Sequence, residues 1–158
     1  MADARIFADL KADHDCHREM LARLGAADCA DRPALFQAFR VEVSAHAAAE
    51  EESLYALMLA KPDLRDEARH SVSEHKEIDD FFGELVKCDP ASTEWTGKFG
   101  EMRHRYEHHI DEEEEEMFPA AAADLSDAEQ ARIAAVFEAR KPKELAIARE
   151  AGFGDARD

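Results

Sequence analysis

Four stretches of this chain carry apolar residues at three-and-four spacing, and in each the stripe is interrupted near its middle by a histidine. The first stripe is Phe7, Leu10, His14, His17, Leu21 and Leu24, and the second is Phe39, Val43, His46, Glu50, Leu54 and Leu57. The third is Leu64, Ala68, Ser71, His75, Ile78, Phe82 and Leu85, and the fourth is Trp95, Phe99, Met102, Tyr106, His109, Glu113 and Met117. That period places each set on one face of a helix, the face that turns to a core. Such a chain must bundle its helices, and in doing so must bring polar side chains into the middle of the bundle. The midpoints of antiparallel helices of similar length share a layer, so His14, His46, His75 and His109 are expected around one centre. Burying four imidazoles and two carboxylates uncompensated costs several kcal/mol. Metal coordination is the simplest compensation.

The breaks between the stripes are explicit. Gly25 ends a first helix over about 3–24, and Pro33, just inside a second, carries it to about 59. Pro62 opens a third that ends near Cys88-Asp89-Pro90; Ser92 or Thr93 caps a fourth that reaches Phe118-Pro119 or slightly beyond. A shorter fifth begins at Ser126, where Ser126-Asp-Ala-Glu129 reads as a capping box. Six Gly, five Pro and few β-branched residues suit helices. Short connections make successive helices antiparallel neighbours. The expected fold is therefore all-α: an up-and-down antiparallel four-helix bundle with a short fifth C-terminal helix. Residues 1–140 form that domain, and 141–158, after Lys141-Pro142, form a tail that is ordered at best in part.

Two strings repeat within the stripes: His46-Ala-Ala-Ala-Glu50 through Tyr55, and His109-Ile-Asp-Glu-Glu113 through Phe118. In a helix an imidazole and a carboxylate four residues apart lie on one face, about 6 Å apart along the axis, and converge on one point. Two copies on two helices suggest a binuclear site, because a carboxylate can bridge two cations while histidines fill terminal positions. A single in-phase histidine is ordinarily a core or surface residue; four in one layer, two with an in-phase Glu, are not. His70, His104 and His108 lie one residue off their stripes and read as solvated flanks. Glu67-Ala-Arg-His70 and Glu101-Met-Arg-His104 match the Glu-x-x-His pairs of ferritin-like proteins, but both fall off the stripes. Within the acidic run Asp111 to Glu116 only Glu113 is in phase, and its neighbours are expected to solvate the helix.

A net charge of −17 argues against nucleic acid or an anionic membrane surface as partner. The first residues contain no apolar signal region, and no apolar run is long enough to span a membrane. Cys16, Cys29 and Cys88 are odd in number and lack C-x-x-C spacing, which fits a reducing compartment. A cytoplasmic protein is expected.

Over residues 3 to 140 the sequence resembles the hemerythrin-like (HHE) cation-binding domains. The resemblance rests on Asp13-His14, His46-x-x-x-Glu50 with Leu54-Tyr55, Glu74-His75, and His109-x-x-x-Glu113 with Met117-Phe118-Pro119. It implies a non-haem centre of two Fe ions with a bridging oxo or hydroxo group, His14, His46, His75 and His109 as terminal ligands, and Glu50 and Glu113 as bridges. Oxygen-carrying hemerythrins also have a histidine where this chain has Ser71, so a fifth imidazole is missing. Two six-coordinate ions bridged in this way keep two positions for a small ligand such as O2, NO or peroxide. Helix direction puts Leu10 and Ser71 level with Glu50 and Glu113, where open space is expected. On the other side of the histidine layer His17 is expected beside Tyr106, supporting the centre and not ligating. The function expected is binding or sensing of a small oxidant, or of iron itself. A di-iron redox enzyme acting on peroxide or NO is the alternative, as is an iron donor for iron–sulphur cluster repair. Relatives with that last role carry an added cysteine-bearing N-terminal domain, whereas the first helix here begins by about residue 3.

Overall fold

The computed structural model describes residues 4–151. Helix α1 (Arg5–Leu24) is followed by α2 (Arg32–Glu50), which passes through a π-helical turn (Glu51–Tyr55) into α3 (Ala56–Leu59). Then come α4 (Arg65–Leu85) and α5 (Thr93–Glu112), the latter passing through a second π turn (Glu113–Met117) into α6 (Phe118–Asp124). The last helix is α7 (Asp127–Ala151). No strand occurs among the described residues, and α1, α2, α4 and α5 form the four-helix bundle, with α7 laid along α1 and α2.

The connections are held by the residues that break the helices. Arg32 donates to the carbonyls of Leu24 and Ala26, closing the C-terminal end of α1, and its guanidinium lies over the Trp95 ring. Ser92 Oγ accepts from Trp95 N at 3.1 Å and caps α5. The capping box at α7 is formed in both directions, Glu129 N to Ser126 Oγ and Ser126 N to Glu129 Oε1.

Every residue of the first, third and fourth stripes is buried. The second stripe holds as far as Leu54 and then slips: Met58, not Leu57, is the fully buried residue. The physical reason is the π turn, which inserts a residue into the 3.6 period and rotates the helix beyond it. Ser53, Leu54 and Tyr55 are buried in succession for the same reason. The second π turn likewise buries Met117 and Phe118 together, and Pro119 is accepted just after it.

The fifth helix is longer than the sequence suggests. It runs 25 residues and continues through Pro142 to Ala151, so residues 141–151 are helix and not tail; residues 152–158 lie outside the described residues. An interior proline costs about 3 kcal/mol. Tertiary contacts on both sides of it offset that cost. Arg140 pairs with Glu52 and Glu144, Lys141 Nζ lies 2.7 Å from Asp13 Oδ2, and Arg40 donates to the Ala148 carbonyl at 3.4 Å.

The apolar core is in two parts. One contains Phe7, Leu10, Leu54, Met58, Phe118 and Phe137; the other contains Leu21, Phe39, Val43, Ile78, Phe82, Trp95 and Tyr106. Between them lies a buried polar layer.

Candidate metal centre

His14, His46, His75, His109, Glu50 and Glu113 are all brought into that layer, none more than 7% exposed. The histidines form two pairs. The rings of His14 and His46 are 5.0 Å apart, and those of His75 and His109 are 4.9 Å apart. Each glutamate stands between one member of each pair. Glu50 Oε1 is 3.6 Å from His46 Nε2 and 3.4 Å from His75 Nε2. Glu113 Oε1 is 3.1 Å from His109 Nε2 and 3.4 Å from His14 Nε2. Two overlapping groups of ligand atoms result, Glu50 with His75, His109 and Glu113, and His14 with His46 and Glu50, each within 4.8 Å.

The other ring nitrogens are engaged in a closed circuit. His46 Nδ1 lies 2.8 Å from Asp13 Oδ2, His75 Nδ1 2.7 Å from Glu51 Oε2, His109 Nδ1 2.8 Å from Glu74 Oε1, and His14 Nδ1 2.8 Å from Glu114 Oε2. Each carboxylate is the chain neighbour of a site residue on one helix and holds the histidine of the next. The circuit runs α1 to α2 to α4 to α5 and back to α1. A carboxylate on Nδ1 fixes the ring and the tautomer, leaving the Nε2 lone pair for the centre. The π turns contribute directly, because they begin beside Glu50 and at Glu113 and carry Glu51 and Glu114. Helical period alone does not assign this role to the four carboxylates, and it places Glu114 among the solvating acids. The available signal was an acid adjacent to a site residue on every helix.

Electrostatics divide the cluster unevenly. Burial and the charge of Glu113 push Glu50 well above the usual carboxylate range. Burial also opposes ionisation of Glu113, but His109 and His14 overcome it and hold that carboxyl well below its ordinary value. Burial works against charge on His14 and His109, yet their glutamate partners raise both to about 9. His46 is lowered to about 4, chiefly by burial, and is neutral.

In this arrangement His14 Nε2, His46 Nε2, His109 Nε2, both oxygens of Glu50 and Glu113 Oε1 are buried without a hydrogen-bond partner. Unpartnered buried polar atoms cost about 1–3 kcal/mol each, more when charged. Their convergence fits a bound metal, and the nitrogen and oxygen donors without thiolate suit iron, manganese or zinc.

The supporting residues separate. His17 Nδ1 and Tyr106 Oη are 2.8 Å apart, on the side of the layer away from the glutamates, and His17 belongs to neither group of converging ligand atoms. Tyr55, fully buried, donates to Glu113 Oε2 at 2.6 Å. Ser71 lines a cavity of about 250 Å³ together with His109 and Glu113. Leu10 does not: it packs with Phe7 and Phe118 in the apolar core, because α6 and α7 cover that side of the bundle. His104 is not among the groups of converging ligand atoms, whereas His70 joins one with Glu74 and Glu112 at the surface.

A helical bundle with a buried layer of histidines and glutamates defines a metal-binding class of protein. The description "Hemerythrin HHE cation binding domain" matches residues 5–121, and the chain belongs to that family. A crystal structure titled a hemerythrin HHE cation binding domain-containing protein, from Mycobacterium kansasii, shares the fold with a TM-score of 0.76 and 23% identity. The likeness covers 89% of this chain and 87% of that one. No curated protein sequence matches. Among the described residues no helix is long and apolar enough to cross a membrane.

Proposed function

We propose that the chain holds two iron ions with a bridging oxo or hydroxo group and binds or senses a small oxidant such as O2 or NO. His14 and His46 would hold one ion, His75 and His109 the other, with Glu50 and Glu113 spanning both. The observation that carries the reading is the set of buried, unpartnered nitrogen and oxygen atoms, arranged so that each glutamate meets one histidine of each pair. When bound, two irons would supply open coordination positions and one-electron redox chemistry.

The Tyr55 phenol sits on Glu113, but burial and the charges of Glu113 and Glu50 raise its pKa well above the ordinary value, so it keeps its proton and orients the carboxylate. Tyr106 is held protonated in the same way, by burial first and then by Glu113. The free thiols Cys16, Cys29 and Cys88 are compatible with a reducing cytoplasm.

Metal analysis after iron-replete expression tests the reading. About two irons per chain, with near-ultraviolet charge-transfer absorption that responds to O2 or NO, are expected. A single metal, or zinc under iron-replete growth, would contradict it. In the Glu50→Ala, Glu113→Ala double variant at least one iron should be lost; retention of both would refute the bridging role. Turnover of peroxide or NO at substrate excess would favour the enzymatic reading instead.

A further inference from the structure

Another set of metal-ligating side chains converges outside the buried layer, at the surface between α4 and α5. His70 Nε2 lies 3.4 Å from Glu74 Oε2 and 3.8 Å from Glu112 Oε1. His108 Nε2 lies 3.2 Å from Glu112 Oε2. His70 and Glu74 are one turn apart on α4 and Glu112 ends α5, so packed helices set the spacing. Neighbouring ligands around an ion with bonds of about 2.1 Å stand about 3 Å apart, so small side-chain rotations close these groups on one ion.

A second, independent feature gives that cluster a direction. His70, Glu74 and Glu112 line the same cavity of about 250 Å³ whose inner wall is Ser71, His109 and Glu113. His109 Nε2 and Glu113 Oε1 are deeply buried and lack partners, so the cavity runs from the surface cluster to unpartnered ligand atoms. The lining has further carboxylates in Asp66, Glu67 and Glu116 and no Lys or Arg. Like-signed walls of this kind concentrate cations. The larger groove between α2 and α4 also reaches the layer, at Glu51 and His75, but it is lined by Arg40, Lys76 and Lys87 among its acids.

We propose that His70, Glu74 and Glu112 form a surface divalent-cation site that captures an ion of the Fe2+ or Mn2+ class and passes it by way of Ser71 to His109 and Glu113. The proposal rests on the reading of the buried layer as a metal centre. Glu74 couples the two places, since Oε1 holds His109 Nδ1 at 2.8 Å while Oε2 faces His70. Glu67-Ala-Arg-His70, which the apolar stripes leave unexplained, thereby gains a role at the mouth of the cavity.

The test compares anaerobic Fe2+ uptake by the metal-free protein in three forms: unaltered, His70→Ala with Glu112→Gln, and Lys76→Ala as a control in the other groove. Uptake by the double variant is expected to be about tenfold slower or more and less sensitive to salt, with iron content at saturation unchanged. The Lys76→Ala control should load at the unaltered rate. In protein preloaded with two equivalents of Zn2+, added Mn2+ should broaden the imidazole resonances of His70, His108 and His109 at lower concentration than those of His14, His17 and His46. An unchanged uptake rate in the double variant, or no selective broadening, would overturn the proposal. Failure of the buried centre itself would be read separately, as fewer than two irons at saturation in the unaltered protein.

Discussion

Asp13→Asn is expected to weaken the ion held by His14 and His46 about 10–100-fold, the usual cost of losing a carboxylate behind a metal-bound imidazole. That factor corresponds to about 1.4–2.7 kcal/mol. The geometry supports a value in this range. Asp13 receives His46 Nδ1 at 2.8 Å and Lys141 Nζ at 2.7 Å, and its side chain is only 21% exposed, so water replaces little of what is lost. Burial opposes ionisation of Asp13, but His46 and Lys141 hold its carboxyl well below the usual range, so a full negative charge stands behind the ring. His46 itself is neutral, and its Nδ1 proton on Asp13 leaves the Nε2 lone pair for the ion. Asparagine preserves size and removes the charge, while Lys141 keeps Glu42 at 3.5 Å. The assay is competition against a chelator of known affinity, following the two ions as they leave, with thermal melts of the metal-free variant as a control for folding. Unchanged affinity for both ions, or weakening confined to the ion held by His75 and His109, would refute the circuit. Glu51→Gln should cost less than Asp13→Asn, because Glu51 is 39% exposed and water can take its place.

The same cluster sets the response to pH, to metal removal and to substitution beside the centre. Because His14 and His109 are held at about 9 against the opposing effect of burial, both are protonated at pH 7 in the metal-free protein. Metal binding should then release these two imidazolium protons and, because Glu50 is held well above the usual carboxylate range, its carboxyl proton as well, so affinity should rise with pH through neutrality; calorimetry at pH 7 in buffers of different ionisation enthalpy checks it, and no release would contradict it. Removing the metal should lower the melting temperature: at a free metal concentration 1,000 times Kd the loss is about 4 kcal/mol for each ion and about 8 for two, or roughly 20 °C for a chain of this size, and equal melting curves would contradict burial of the ligands. Ser71→His places an imidazole on the cavity wall beside His109 and Glu113, and should shift the charge-transfer spectrum toward that of an oxygen carrier without lowering iron content. His17→Ala should keep both irons while changing the redox potential, since His17 meets Tyr106 and stands outside the converging ligand atoms.

The stripes were legible because α1, α4 and α5 keep one helical period from end to end, and a polar residue in phase with that period has to be buried. The slip from Leu57 to Met58 was not, because a π turn is set by backbone hydrogen bonding and packing and no residue type announces it. The paired apolar residues Leu54-Tyr55 and Met117-Phe118 were the only trace it left in the sequence. Asp13, Glu51, Glu74 and Glu114 lie one residue off phase and look like surface acids; their role depends on which helix stands next to which. Pro142 read as a stop because local propensity argues so, and the contacts that carry α7 past it all come from residues distant in sequence. Leu10 lies in the apolar core and not on the cavity wall with Ser71, because helix direction fixes its level in the bundle but not what α6 and α7 lay over it.

Mössbauer spectroscopy of the 57Fe-loaded, oxidised protein tests the central claim most directly, since the two irons either form one bridged pair or sit as isolated ions. A bridged ferric pair is expected to couple to a diamagnetic ground state, giving quadrupole doublets without magnetic splitting at liquid-helium temperature in a weak field, for two irons per chain. The magnetically split pattern of isolated high-spin ferric ions would contradict it.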